Sequence, residues 1–250
     1  MSRTTDWIIE NFEEQYTEER TKWIRDELND LDADEYTEGW HRLEQEYDDA
    51  YEINLIYQEE EWQWFHSQNH SDFYISFAQT ISELKTILSS RIDDAVVHTV
   101  YKMAYVHAVT AMETYLSDSL KSTVLANKSY IANAAKNLKE LKNKNFKLEQ
   151  FLLESASVDK IVLGQLRKYL YHDVVRVMEI YKATLGFQCS HDLGDLIKIT
   201  SMRHDIVHRN GKDNDGTPVH LNLTDLNMSI DKIESFVKYL DDSLRDHHEV

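Results

Sequence analysis

The sequence predicts an all-α protein, and three observations carry that expectation. Gly and Pro are scarce, six and one in 250 residues, and neither occurs between Gly39 and Gly164. Leu, Glu, Lys, Ala and Gln, which all favour helix, fill much of that interval. Apolar residues recur at steps of three and four along most of the chain, the spacing of one helix face.

Taken in order, residues 4–31 and 35–66 read as two acidic amphipathic helices. Ile8, Phe12 and Tyr16 form the apolar stripe of the first, and Trp40, Leu43, Tyr47 and Tyr51 that of the second. All five Trp lie within the first 64 residues. The plain reading of the aromatic stripe is a packing face. Residues 72–90 continue helically through Phe73, Phe77, Ile81, Leu84 and Leu88, as a connector between the two parts of the chain. A longer, more apolar helix is expected from Asp93 to about Ala126, with Val96, Val97, Val100, Met103, Met112 and Leu116 on its apolar faces. Glu113 sits in its middle, and a mid-core Glu needs a partner. A Lys-rich segment over 128–147 begins as helix and loops at Lys142–Asn145. One helix is expected over 158–184 with Gly186 as its stop, and another over 192–209 stopped by Asn210-Gly211. Asp213–Gly216 reads as a turn and Thr217–Leu223 as a short strand or extended arm. A last helix over 225–246 should bury Ile230, Ile233, Phe236, Val237, Leu240 and Leu244. The expected division is an acidic, Trp-rich helical region over 1–90 and a helical domain over 91–250.

Charge follows the same division. Residues 1–100 hold 25 acidic and 7 basic side chains, a net of −18, whereas residues 101–250 hold 20 of each. The acidic excess of the whole chain therefore belongs to its first part. Within the neutral remainder, residues 121–147 carry seven Lys against one acid, Glu140. A run of that kind is commonly a solvated face, but it also suits a phosphate backbone. The single Cys189 excludes an intrachain disulfide and a cysteine zinc site, and suits a reducing compartment. No run approaches the roughly 18 apolar residues of a membrane span, and the N-terminus lacks an apolar signal core. A soluble, cytoplasmic protein is expected.

The densest chemistry lies in Ser201–Gly211, which reads Ser-Met-Arg-His-Asp-Ile-Val-His-Arg-Asn-Gly. Arg203 can grip a phosphate in bidentate fashion. His208 can take or give a proton near neutrality. Five helical steps of about 100° set the two residues about 140° apart, so one helix face cannot comfortably present both. A frayed last turn, or a cleft drawing one residue from each of two subunits, would reconcile them.

Arg203-His-Asp-Ile-Val-His208 resembles the signature of the HEPN superfamily, an Arg and then a polar residue, with a His a few positions later. His204 matches the polar position. Glu113, on an earlier long helix and followed by Leu116, matches an acidic position of several HEPN ribonucleases. The resemblance covers roughly residues 93–250 and leaves the acidic N-terminal part unassigned. It implies an HEPN-type helical bundle that forms a homodimer, with two Arg-His pairs facing one cleft. It also implies a metal-independent endoribonuclease without cofactor, a toxin or antiphage effector for which an antitoxin or regulatory protein would be a partner. His208 would then move protons and Arg203 would stabilise charge on the phosphorane. Glu113 would orient either residue or share in proton transfer, and His204 completes the catalytic set. Lys136, Lys139, Lys142, Arg209 and Asn210 are the candidate RNA-binding residues.

Each residue also has a structural alternative. Arg203 and Glu113 could form an ion pair that braces two helices. His208 could serve the negative end of its helix dipole. His204 and His208 at i and i+4, with Asp205 after the first, also resemble a zinc pair, with His191 or His220 as third ligand. A non-catalytic HEPN-like scaffold or partner-binding module is the remaining alternative, with the acidic region as its working surface.

Overall fold

The structure, a computed structural model, describes residues 3–68, 70–145, 157–209, 211–212 and 215–248, with backbone alone at 3–12, 70 and 247–248. Its elements among these residues are ten helices: α1 (Arg3–Leu28), α2 (Trp40–Ser67), α3 (His70–Ser89), α4 (Val97–Ala126), α5 (Lys128–Asn137), α6 (Lys139–Lys142), α7 (Val158–Leu166), α8 (Val174–Leu185), α9 (Gly194–His208) and α10 (Leu223–His248). The protein is all-α. No helix among the described residues is long and apolar enough to cross a membrane.

The chain divides into two compact units, one of residues 1–64 and 143–164 and the other of residues 65–142 and 165–250. In the first, α1 and α2 form a hairpin. Ile24, Ala33, Trp40 and Leu43 make its small buried core, with Trp23 and Leu28 packed against it. Tyr16 stacks edge-on against Tyr47 and Tyr51, and Arg20 bridges to Glu44 and Asp48 at 3.0 and 2.9 Å. The Trp40–Tyr51 stripe is therefore a packing face. The side chains of Ile8 and Phe12, at the start of the α1 stripe, lie outside the described residues. α7 joins the hairpin through the Trp62 indole, which donates to Asp159 at 2.8 Å, and through a 2.7 Å pair between Lys160 and Glu59.

The second unit is built around α4. Met112, Leu116, Leu120 and Val124 recur every fourth residue and are fully buried, so one stripe of α4 is the axis of the core. α3, α5, α8, α9 and α10 all pack on α4. α3 buries Phe73, Phe77, Ile81, Leu84 and Leu88, and its Lys85 ties it to Asp231 and Glu234 of α10 at 3.0 and 2.6 Å. Residues 72–90 thus pack with the C-terminal helices rather than serving as a connector. α10 buries all six residues expected of it. Its nearly inaccessible Asp241 is satisfied by Arg245 at 2.7 Å and by the Tyr115 hydroxyl at 3.1 Å, the pairing that a buried carboxylate requires.

Three expectations differ from the structure. The single helix over 158–184 is broken between Leu166 and Val174, because the Asp173 side chain accepts from the Arg176 amide and starts a new helix. The strand over 217–223 is absent among the described residues; the arm makes one isolated antiparallel bridge, Lys212 to Pro218. Asp213 and Asn214, which open the expected turn before it, lie outside the described residues. Val96 and Met103 of the apolar helix are exposed. The two helix stops fall where Gly is expected. Gly186 ends α8 in the left-handed region at φ 74°, and Gly211, also at φ 74°, closes the end of α9 with its amide donating to the Asp205 carbonyl at 3.2 Å.

Candidate active site

α9 is fixed before its functional residues begin. Leu196 and Ile199 are buried, the Tyr105 hydroxyl of α4 donates to the Ile199 carbonyl at 3.2 Å, and Asp195 pairs with Lys232 of α10 at 2.8 Å. The helix runs without a break through His208. The separation of about 140° between Arg203 and His208 therefore stands, and the frayed turn that would have reconciled them is not used.

The two flanks differ in character. On one, Arg203 reaches Glu113 of α4 at 3.8 Å, with side chains only 21% and 16% exposed. The contact is long for a charge-assisted bond, which is usually about 2.7–2.9 Å. Neither the buried Arg203 Nε nor the buried Glu113 Oε1 has a protein hydrogen-bond partner. Burial pushes the Glu113 carboxyl above its ordinary range, while Arg203 and His172 pull in the other direction. His172, in the turn before α8, thus lies within electrostatic reach of the site. On the other flank, the exposed rings of His204 and His208 meet at a tilt of 44° with centroids 4.7 Å apart. The structure therefore joins Arg203 to Glu113 and His204 to His208.

The candidate RNA-binding residues are more scattered. Arg209 is held by an ion pair with Asp205 one turn earlier. Asn210 lies outside the described residues. Lys136, Lys139 and Lys142 are exposed on α5 and α6, which begin after α4 ends at Ala126, about 20 Å along the helix axis from Glu113. Lys121, counted in the basic run, is buried beneath it, with its ammonium 5.3 Å from the centre of the Phe65 ring. Among the described residues no group of three His, Cys, Asp or Glu side chains is arranged to hold a metal ion. His191, a proposed third ligand, instead packs on Phe236 and Tyr239 and bonds the Asp192 carbonyl at 2.9 Å.

Beside α9 an open groove of about 760 Å³ runs between α3, α4 and α9. Ile87, Val100, Met103, Val106 and Ile206 supply much of its apolar lining, with Lys102 at the Gly211 end. Met103 is 65% exposed, too open for a residue that its own chain packs. Sequence reasoning missed Lys102 and His172. A single Lys or His outside a motif carries no signal until tertiary contacts place it.

A family described as RiboL-PSP-HEPN matches residues 75–246. The match spans more than the motif-based resemblance and begins within α3. No curated protein and no solved structure matches the chain.

The raised Glu113 pKa has a definite consequence for stability. Folding favours the protonated carboxyl, so this stabilisation is complete below the ordinary value of 4.5 and is lost as pH rises through the raised folded value. Glu113→Gln keeps the shape and does not titrate. Its melting temperature relative to wild type should climb as pH goes from below 4.5 towards neutrality. A difference that is flat with pH, or that falls, contradicts burial as the dominant influence.

Proposed function

The chain belongs to the RiboL-PSP-HEPN family, and we propose that its second unit is a metal-independent endoribonuclease. One observation carries the reading: Arg203 and Glu113 are half-buried side by side, yet the buried Arg203 Nε and Glu113 Oε1 have no protein partner, beside two exposed imidazoles on the same helix. An Arg that served only as a brace would spend its fork on the carboxylate in short, paired bonds. This one makes a single 3.8 Å contact, which leaves guanidinium donors for a phosphate. Unsatisfied buried atoms and a carboxyl perturbed by burial are features that catalytic sites commonly combine.

In this mechanism the ribose 2′-OH loses its proton to a base, its oxygen bonds to the adjacent phosphorus, and the bond from phosphorus to the 5′-oxygen breaks. The departing oxygen takes a proton, which leaves a 2′,3′-cyclic phosphate and a 5′-OH. His208 moves protons, a contribution typically worth about 10²–10⁴-fold. Arg203 stabilises the charge that develops on the phosphorane oxygens. Glu113 positions Arg203, and His204 packs against His208 and limits the orientation of its ring. A cleft shared by two copies sets Arg203 of one chain beside His208 of the other. That resolves the angular separation, since each Arg203 then works with the His208 of the other chain. The apolar stretch of the groove around Met103 is the surface that a second copy would cover, leaving the Lys102 end open to substrate, because it is open, adjoins α9 and exposes Met103. Lys136, Lys139 and Lys142 would contact RNA beyond the cleft. In the cytoplasm such an enzyme would act as a toxin or antiphage effector, restrained by an antitoxin or regulatory protein.

Arg203→Ala and His208→Ala should each lower RNA cleavage by at least about 10²-fold while the circular dichroism and melting temperature of the fold are kept. Wild-type products should end in 2′,3′-cyclic phosphate, and EDTA should leave the rate unchanged. Cleavage at wild-type rates by both variants would remove the site from the reaction. Inhibition by EDTA that zinc reverses would turn the reading to the His204/His208 pair.

The dimer has its own test. Met103→Glu places a charge on a position that is already exposed, so the fold should survive. Light scattering should report a monomer, and RNA cleavage should be lost with the dimer. A wild-type protein that is monomeric and active, or a Met103→Glu dimer with full activity, would contradict the shared cleft.

A further inference from the structure

Lys102 sits on α4 eleven residues before Glu113, and three helical turns bring the two within about 20° of the same face. Glu113 meets Arg203 of α9, and Lys102 meets Gly211 just beyond α9. The two contacts of α4 thus bracket His208 in sequence. The second contact is close: a Cβ at position 211 would stand 2.6 Å from Lys102 Nζ and 3.3 Å from its Cε. Gly211 is buried and left-handed at φ 74°. Gly is therefore favoured there by its backbone conformation, and it lets the Lys102 ammonium lie close against the chain.

The charge of Lys102 is not used within the described chain. No carboxylate of the described residues lies within ion-pairing distance of it. Of the motif's own cations, Arg209 is engaged by Asp205 and Arg203, loosely, by Glu113. Lys102 is half-buried and lines the groove beside α9, where a partly desolvated ammonium attracts an anion more strongly than a fully solvated one does. Gly211 lies three residues past His208, so their Cα atoms are within roughly 11 Å.

Resting on the ribonuclease reading, we infer that Lys102 is a substrate-binding residue that holds a backbone phosphate flanking the scissile one. A flexible ammonium suits this duty as a point charge, whereas the planar Arg203 suits the phosphorus that reacts. The rival role is structural, a cation placed near the carbonyl end of α9 to oppose its dipole. The two roles differ in how they respond to salt.

The test uses the full-length His208→Ala protein, which should bind RNA without cutting it, and a fluorescein-labelled single-stranded oligouridylate read by anisotropy over a salt series. Adding Lys102→Gln should weaken binding several-fold and reduce the slope of log affinity against log salt by about 0.7, the value for one phosphate contact on a single strand. Lys102→Arg keeps the charge and should retain both affinity and slope. An unchanged slope in Lys102→Gln, while the parent binds and the wild type cleaves RNA, overturns the role of Lys102 and leaves the enzyme reading intact. Equal loss in the Gln and Arg variants, accompanied by a lower melting temperature, also overturns it in favour of the structural role. A parent that fails to bind and a wild type that fails to cleave any RNA overturn both.

Discussion

The seating of α9 on α4 is the constraint on which the site depends. Leu196, Ile199 and the Tyr105 hydrogen bond fix the helix by its buried side, which obliges Arg203 to enter a poorly solvated space beside Glu113. The regular helix then carries His204 and His208 to the exposed flank. Everything chemical depends on that division: a cation held among apolar helices, and two imidazoles in the open, on one rigid element. The pairing of Arg203 with Glu113 is too long to offset the desolvation of the carboxyl, as its raised pKa records. The deeper Asp241, by contrast, is bonded at short distance by Arg245 and Tyr115. The same unit thus contains both kinds of buried carboxylate, one satisfied and one in tension.

The acidic hairpin of α1 and α2 obeys a different logic. Its core is small, and its aromatic rings pack on one another. Arg20 is shared between Glu44 and Asp48, and residues 1–100 hold only 7 basic side chains against 25 acids. Exposed pairs contribute only about 0–1 kcal/mol each, so the charge does little for the stability of the hairpin. Its effect is on the surroundings: it repels anions and favours basic partners, at a range set by salt.

Much of the fold is legible in the sequence because the relevant pattern is local. α3 and α10 can be read residue by residue, since a single apolar stripe on an otherwise polar helix has one way to face a core. α4 cannot, because its first half is apolar on two faces and periodicity does not say which is covered. Periodicity alone therefore assigns Val96 and Met103 to a core that they do not enter. The break before α8 is hidden because Asp173 acts as a cap only once the chain has turned there, and the arm over 217–223 lacks a partner strand. At the site, the pairing of Arg203 with Glu113 can be anticipated from the family resemblance. Two features cannot. In the sequence Lys121 is part of a basic run, yet it is buried, while Lys102 is a stray charge, yet it stands against Gly211. Clusters of Lys are visible in a sequence; the solvation of each one is a property of the packing.

The central claim is that one working cleft needs Arg203 from one chain and His208 from another. It is tested most directly by unfolding Arg203→Ala and His208→Ala proteins together, refolding the mixture and measuring RNA cleavage. In a twofold dimer, each mixed pair would hold one intact and one empty cleft, so an equal mixture should recover about a quarter of wild-type activity from two inactive parents. Recovery of nothing, from a mixture shown to contain mixed dimers, would contradict the claim and return both residues to a single chain.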